Sequence, residues 1–344
     1  MKRFATRALA LGTLAVTFST VGRADSLLTS WNLVTTGNLY AAHDAQGAVR
    51  VGGNLYVQNT FEAAANQGAA SGPSLVVGGN VTTGNSNGQT VKVNHGDAEI
   101  GGAVDGGTTN KNQNGQQIVS AQNGAVTFNP ALAGIGAADH AELLADSTAF
   151  KNMAPTTGAT FTFPSSSGQD GPATFNLTSG TGNVVLDIDA SDLFGNSKVQ
   201  QIGLNLNGHT FADGQSLIIN VSSGESLTFA KSFNFVDDFT SQTVLPYIIW
   251  NFHDATTINL NNSNFSGALL APNATLLNNN TIQGSVFVQN FGENSSNGMK
   301  AEVHTPLYQG YVPNAPTVPE PAGLAMAGIA TLAGAAFGVR RLVA

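Results

Sequence analysis

The side-chain types best suited to chemistry are few and spread along the chain. Glu302 and His304 stand two apart on a segment that reads as a strand, so both project to one side, where they could form a polar latch or part of a site. Asp187, Asp189 and Asp192 have a spacing that resembles a calcium loop, yet the glycine and the distant glutamate of such a loop are missing. They read as an exposed acidic ridge, and Asp237-Asp238 as a turn pair. His43, His95, His140, His209, His253 and His304 occur singly, without the paired spacing of metal sites. No metal or cofactor is expected. Gly-x-Ser-x-Gly, His-Glu-x-x-His and P-loop patterns are absent. The expectation is a protein that is not an enzyme. The alternative is a carbohydrate-active lyase or hydrolase on a β-helix, with acids gathered beside Lys92, Lys198 or Lys231.

The elements that would position these residues are short strands. Of 344 residues, 42% are hydrophobic and only 10% charged, with 40 glycines and no cysteine. That composition suits many short strands with Gly/Asn turns rather than a helical bundle, and it excludes disulfides and thiolate metal sites. Six of the 13 basic residues lie at the two ends, which leaves Arg50, Lys92, Lys111, Lys151, Lys198, Lys231 and Lys300 in the body. The body is acidic and has no basic patch, so nucleic acid is a poor partner.

Val51-Gly52-Gly53-Asn54-Leu55 recurs as Val77-Gly78-Gly79-Asn80-Val81 and as Ile100-Gly101-Gly102-Ala103-Val104, at offsets of 26 and 23 residues. Periods of this size predict stacked coils, with the glycines at corners that need positive φ or close backbone approach, and with Asn free to form ladders. A segment rich in Ala, Glu and Leu predicts one helix at about 137–153, with Leu143, Leu144 and Phe150 inward and Asp139, Glu142 and Asp146 on the wet side. His140 is expected to face solvent, and Trp250 to lie in the core. The fold class is therefore mainly β: a β-solenoid, right-handed β-helix-like, with one flanking helix. A signal helix is expected before it and a transmembrane helix after it.

Residues 1–24 have the basic start, apolar stretch and small residues of a signal peptide. At the other end a Pro-rich linker with a Pro-Glu-Pro motif (312–321) precedes an apolar run and a basic tail (322–344). Pro319, Glu320 and Pro321, then the apolar run, then Arg340 and Arg341, resemble a PEP-CTERM sorting signal. That resemblance implies an exosortase-type processing enzyme as partner. It also implies an inner-membrane-anchored precursor held by the C-terminal helix, and delivery to the cell surface or extracellular matrix.

The body, 25–311, resembles the choice-of-anchor A domain. The likeness rests on Gly47 to Asn54 with its Gly52-Gly53-Asn54 turn, on Asp187 to Leu193 and on Ser216 to Val221. It continues through Ile249-Trp250-Asn251-Phe252-His253, Ala271-Pro272-Asn273 and Ala301-Glu302-Val303-His304. The family carries no catalytic residues to transfer, so Gly52, Gly53, Asn54, Asn251, Ala271, Pro272, Asn273, Glu302 and His304 are expected to be structural. The resemblance implies a structural or adhesive surface protein associated with exopolysaccharide or an extracellular surface. A further alternative is an ice-binding-like adhesin, although Thr160-x-Thr162 is the one clean Thr-x-Thr pair.

Overall fold

The computed structural model describes residues 26–66, 72–83, 89–105, 107, 110–111, 115–164, 171–293 and 301–313. The chain winds into coils whose strands pair in parallel with the coils before and after, leaving three faces around one core.

The first face is a path of ten strands. In spatial order they are Val126–Phe128, Asp97–Ile100, Pro73–Val77, Val49–Val51, Leu33–Thr35, Val286–Phe291, Ala268–Leu277, Ile248–Asn251, Leu217–Ser222 and Val184–Asp189. This spatial order is not the chain order. The chain starts mid-stack at Leu33–Thr35 and builds outward to Val126–Phe128. It then crosses to the opposite end and winds back until Val286–Phe291 pairs with Leu33–Thr35. A continuous solenoid, as expected from the recurrence of Gly-Gly-Asn, is therefore corrected to two half-stacks joined by their first and last coils. The repeat itself stacks: Val49 pairs with Leu75, and Leu75 with Ala98.

The crossing is made by the helix Ile135–Lys151, which lies on the outer side of the first face. It is not the only helix among the described residues. Leu27–Ser30 (α1) precedes it and Ala190–Leu193 (α3) follows it, so the long one is α2. None of the described helices is long and apolar enough to cross a membrane, which corrects the fold expectation. The expected signal peptide (1–24) and transmembrane segment (322–344) lie outside the described residues.

Two acids assigned to the wet side of α2 face inward. Asp139 is 4% exposed and receives Arg50 through Nε at 2.7 Å and Nη2 at 3.0 Å. Asp146 is 1% exposed. Residues 139, 143, 146 and 150 are three or four apart, so the helical period puts both acids on the stripe of Leu143 and Phe150, and only their charge pointed to the wet side. The surface beneath the helix, however, is a mixed row: Val34, Phe287 and Leu270 in the middle, with Arg50, Asn251 and Asn220 toward the ends. A helix docked on such a row must bury polar groups that answer it. Ser147 Oγ donates to Asn251 Oδ1 at 2.6 Å, and Asn251 Nδ2 donates to Ser147 O and Asn220 Oδ1, both at 2.9 Å. Asn220 Nδ2 in turn donates to Phe150 O and Asp187 Oδ1, both at 3.0 Å.

Coil length sets core composition. The rise takes 16 residues between Leu33 and Val49 and 17 between Leu269 and Val286, but 33 between Val184 and Leu217. Long coils enclose a wider interior, and aromatic rings fill it. Phe194 stacks on Phe229 at 4.1 Å, and Trp250 packs against Phe175, Phe235, Phe239 and Phe265. Trp250 is fully buried, and its Nε1 donates to Ser266 O at 2.9 Å. After the last coil the chain runs back along the stack as a second axial stay. Tyr308 N donates to Ser285 Oγ (3.1 Å), Gln309 N to Pro246 O (2.8 Å) and Tyr311 N to Ser216 Oγ (2.7 Å).

Replacing Asn251 by Ala leaves Asn220, Ser147 Oγ and the Ser147 carbonyl short of a buried partner. We expect a loss of about 3 kcal/mol and a melting temperature ~5 °C lower by scanning calorimetry. Asn234→Ala, at an exposed position, should leave the melting temperature unchanged.

Candidate functional site

The corner between the first and second faces carries the Gly-Gly-Asn copies. A Cβ on Gly52 would run into Thr36 O and the Cα of Gly136 in α2, and one on Gly53 would meet Gly37 O at 2.7 Å. Neither glycine has positive φ, so close approach of neighbouring coils, and of the helix, is what requires them. The asparagines that follow form a ladder. Asn38 N donates to Asn290 Oδ1 (2.8 Å), Asn54 N to Asn38 Oδ1 (2.9 Å), Asn80 N to Asn54 Oδ1 (2.8 Å) and Ala103 N to Asn80 Oδ1 (2.7 Å). Each amide satisfies a backbone donor where the strand turns the corner and ladder pairing lapses.

The ladder runs beside one part of the second face, which is formed by Ser226–Thr228, Thr257–Asn259, the end of Ala268–Leu277, the end of Val286–Phe291, Leu39–Ala41, Leu55–Val57 and Val81–Thr83. Leu227, Ile258, Leu276, Phe291, Leu39, Leu55 and Val81 point into the core. The alternate residues point outward. One outward row reads Ser226, Thr257, Thr275, Asn290 in register, and beside it run Thr228, Asn259 and Leu277. Further along, Tyr40 and Tyr56 stack at 4.6 Å with planes 9° apart, and Thr82 follows. None of these outward side chains is charged. Parallel strands space each row at about 4.8 Å, and two residues along a strand separate the rows by about 6.6 Å.

The other two faces differ. The first carries Arg50, Glu99 and Asp187 outward. The third carries Glu62 paired with Lys92 at 3.0 Å, and Glu302 with His304 at 3.1 Å and His43 at 3.5 Å. Burial, then the Glu302 carboxylate, raises the Asp44 carboxyl above its ordinary value there.

The residues singled out from the sequence do not converge. Gly52, Gly53 and Asn54 shape the first corner, and Asn251 lies under α2. Ala271 and Pro272 are buried, and Asn273 Oδ1 meets His140 Nε2 at 2.9 Å, so His140 is engaged rather than free in solvent. Glu302 and His304 sit on the third face, with Gln283 Nε2 on His304 Nδ1 at 3.0 Å. Asp189 caps α3 through Ser191 N (2.8 Å). Among the described residues no three His, Asp or Glu side chains are placed to hold a metal. Pro319, Glu320, Pro321, Arg340 and Arg341 lie outside the described residues. The second face was missed because Thr257 and Thr275 are neighbours only across coils; the local signal was alternation in Ser226–Thr228 and Thr257–Asn259.

The family described as "Putative Ice-binding-like adhesive domain" matches residues 24–302. Among solved structures, a glycosylated ice-binding protein from an Arctic yeast is similar at 12% identity, over 86% of this chain and 98% of that chain, with a TM-score of 0.27. No curated protein matches. The family match overturns the choice-of-anchor A and PEP-CTERM resemblance. With it fall the exosortase-type partner, the membrane hold by the C-terminal helix and the membrane-anchored precursor, since no described helix is long and apolar enough to cross a membrane.

The turn that feeds Ser226–Thr228 into the second face is held by Asp254. Burial pushes its carboxyl up. The Ser223 N–H and Oγ–H (both 3.0 Å) and the Gly224 N–H (3.1 Å) outweigh that and hold it below the ordinary 3.8. Its stabilising contribution is present above that ordinary value and lost as pH falls through the lowered one. Thermal melts between pH 7 and pH 2 should show a drop on acidification. Asp254→Asn should melt lower at pH 7 and show a smaller acid drop.

Proposed function

Because the chain belongs to the family of ice-binding-like adhesive domains, we propose that it is an adhesive protein that adsorbs to an ordered, uncharged surface through its second face, with ice as the surface. The observation that carries the reading is the row Ser226, Thr257, Thr275 and Asn290, flanked by Thr228 and Asn259, with no charge among them. A charged side chain must shed bound water to touch a solid surface and finds no counter-ion there. Short hydroxyls and amides on a sheet held by a packed core lose little freedom on contact. Their repeat of about 4.8 Å along the row suits a lattice of hydrogen-bonding sites. Each contact is weak, and the face acts by adding many of them at once.

The reading is tested by growing ice slowly from a solution of the full chain and measuring the fraction taken into the ice, together with the freezing-point gap. We expect uptake by the wild type. Thr257→Lys and Thr275→Lys should each reduce it ~10-fold or more, the effect of losing about 1.4 kcal/mol, with unchanged melting temperature. Exclusion of the wild type from ice would sink the proposal.

A further inference from the structure

Beyond the hydroxyl rows, the second face ends in a different chemistry. We propose that the slot beside Tyr56, above Thr82, is a saccharide subsite for a neutral polysaccharide. Tyr40 and Tyr56 occupy adjacent coils in register, with ring planes 9° apart and centroids 4.6 Å apart, which is close to the strand spacing. The ring normals therefore run along the stack, and one face of Tyr56 is covered by Tyr40. The other face looks toward the next coil, where the paired residue is Thr82. A threonine is too short to cover an aromatic ring, so among the described residues that face of Tyr56 stands as a wall over a hydroxyl floor.

The far side of the slot is Asp105. Val81 bridges to Val104, which sets Asp105 in line with Thr82. Its carboxylate is fixed by Thr83 N at 2.7 Å and by Thr83 Oγ1 at 2.6 Å, one donor to each oxygen. Each oxygen keeps acceptor capacity for another hydroxyl. Two strand steps, about 9.6 Å, separate the Tyr56 and Asp105 backbones.

An aromatic wall, a hydroxyl floor and an oriented carboxylate match a pyranose, whose C–H side packs on a ring while its hydroxyls need acceptors. The protein's charge of −8 and Asp105 itself repel anionic glycans, which leaves neutral ones. This inference does not depend on adsorption to ice through the Ser226–Asn290 row, whose last residue stands two coils from Tyr56.

The test is affinity electrophoresis of the full chain in native gels holding hydroxyethyl cellulose or dextran, with alginate as the anionic control. Retardation by a neutral glucan is expected. Tyr56→Ala, and Thr82→Phe, which fills the slot and leaves Tyr56 in place, should each weaken it ~10-fold. Tyr56→Phe should retain it. No retardation by either glucan, retardation by alginate alone, or wild-type binding by both Tyr56→Ala and Thr82→Phe would overturn the proposal. Loss of ice uptake in the wild type would bear only on the reading of the hydroxyl rows.

Discussion

The strand Leu33–Thr35 is held between Val49–Val51 and Val286–Phe291, and every face of the molecule inherits its register from that junction. One half-stack grows outward from it, and the other ends on it. A shift of one residue would turn Leu33 and Thr35 outward and Val34 inward, and with them every coil paired beyond. The corner asparagines give the junction a second lock, since Asn38 N reaches Asn290 Oδ1 across it and Asn54 N reaches Asn38 Oδ1 on the other side. The two halves are thereby read as one continuous sheet.

Such an order demands a crossing. After Val126–Phe128 the chain must reach the opposite end, and α2 makes the journey over the outer side of the first face. The price is a buried surface that is only partly apolar, and the docking is made by Arg50 with Asp139 and by the Asn220–Asn251–Ser147 network. Directional bonds of this kind fix where the helix sits along the stack, as sliding by one turn would strand all of them. Glycines 52 and 136 let the helix start meet the corner closely. With the first face occupied and the third carrying Glu62, Lys92, Glu302 and His304, the second face is left with the uncharged rows of Ser226–Asn290 and Thr228–Leu277.

That division of labour shaped what could be read before the fold was known. Core alternation in Leu55–Val57 or Leu227 and Ile258 is local, and it was legible as short strands. The Gly-Gly-Asn copies were legible as stacked corners, because their spacing follows the chain within one half-stack. Asp139 and Asp146 were misassigned on their charge, although the helical period puts them on the stripe of Leu143 and Phe150; the polar partner that the stripe meets, Arg50 for Asp139, is 89 residues away in the chain. The sorting tail was taken from a likeness of the last residues and the choice-of-anchor A family from motifs along the body, and the match over 24–302 replaces both.

By composition and alternation alone, this chain was bound to form cysteine-free, Gly-cornered short strands with one substantial helix, since those preferences act between residues a few positions apart. Only the tertiary structure decided that its first coil abuts its last, and that Thr257 stands beside Thr275 and Tyr40 beside Tyr56. Those neighbours lie 16 to 18 residues apart in the chain and meet only when coils of a particular length pair in register. Which coils pair, and in what register, is a property of the whole stack that no local window contains.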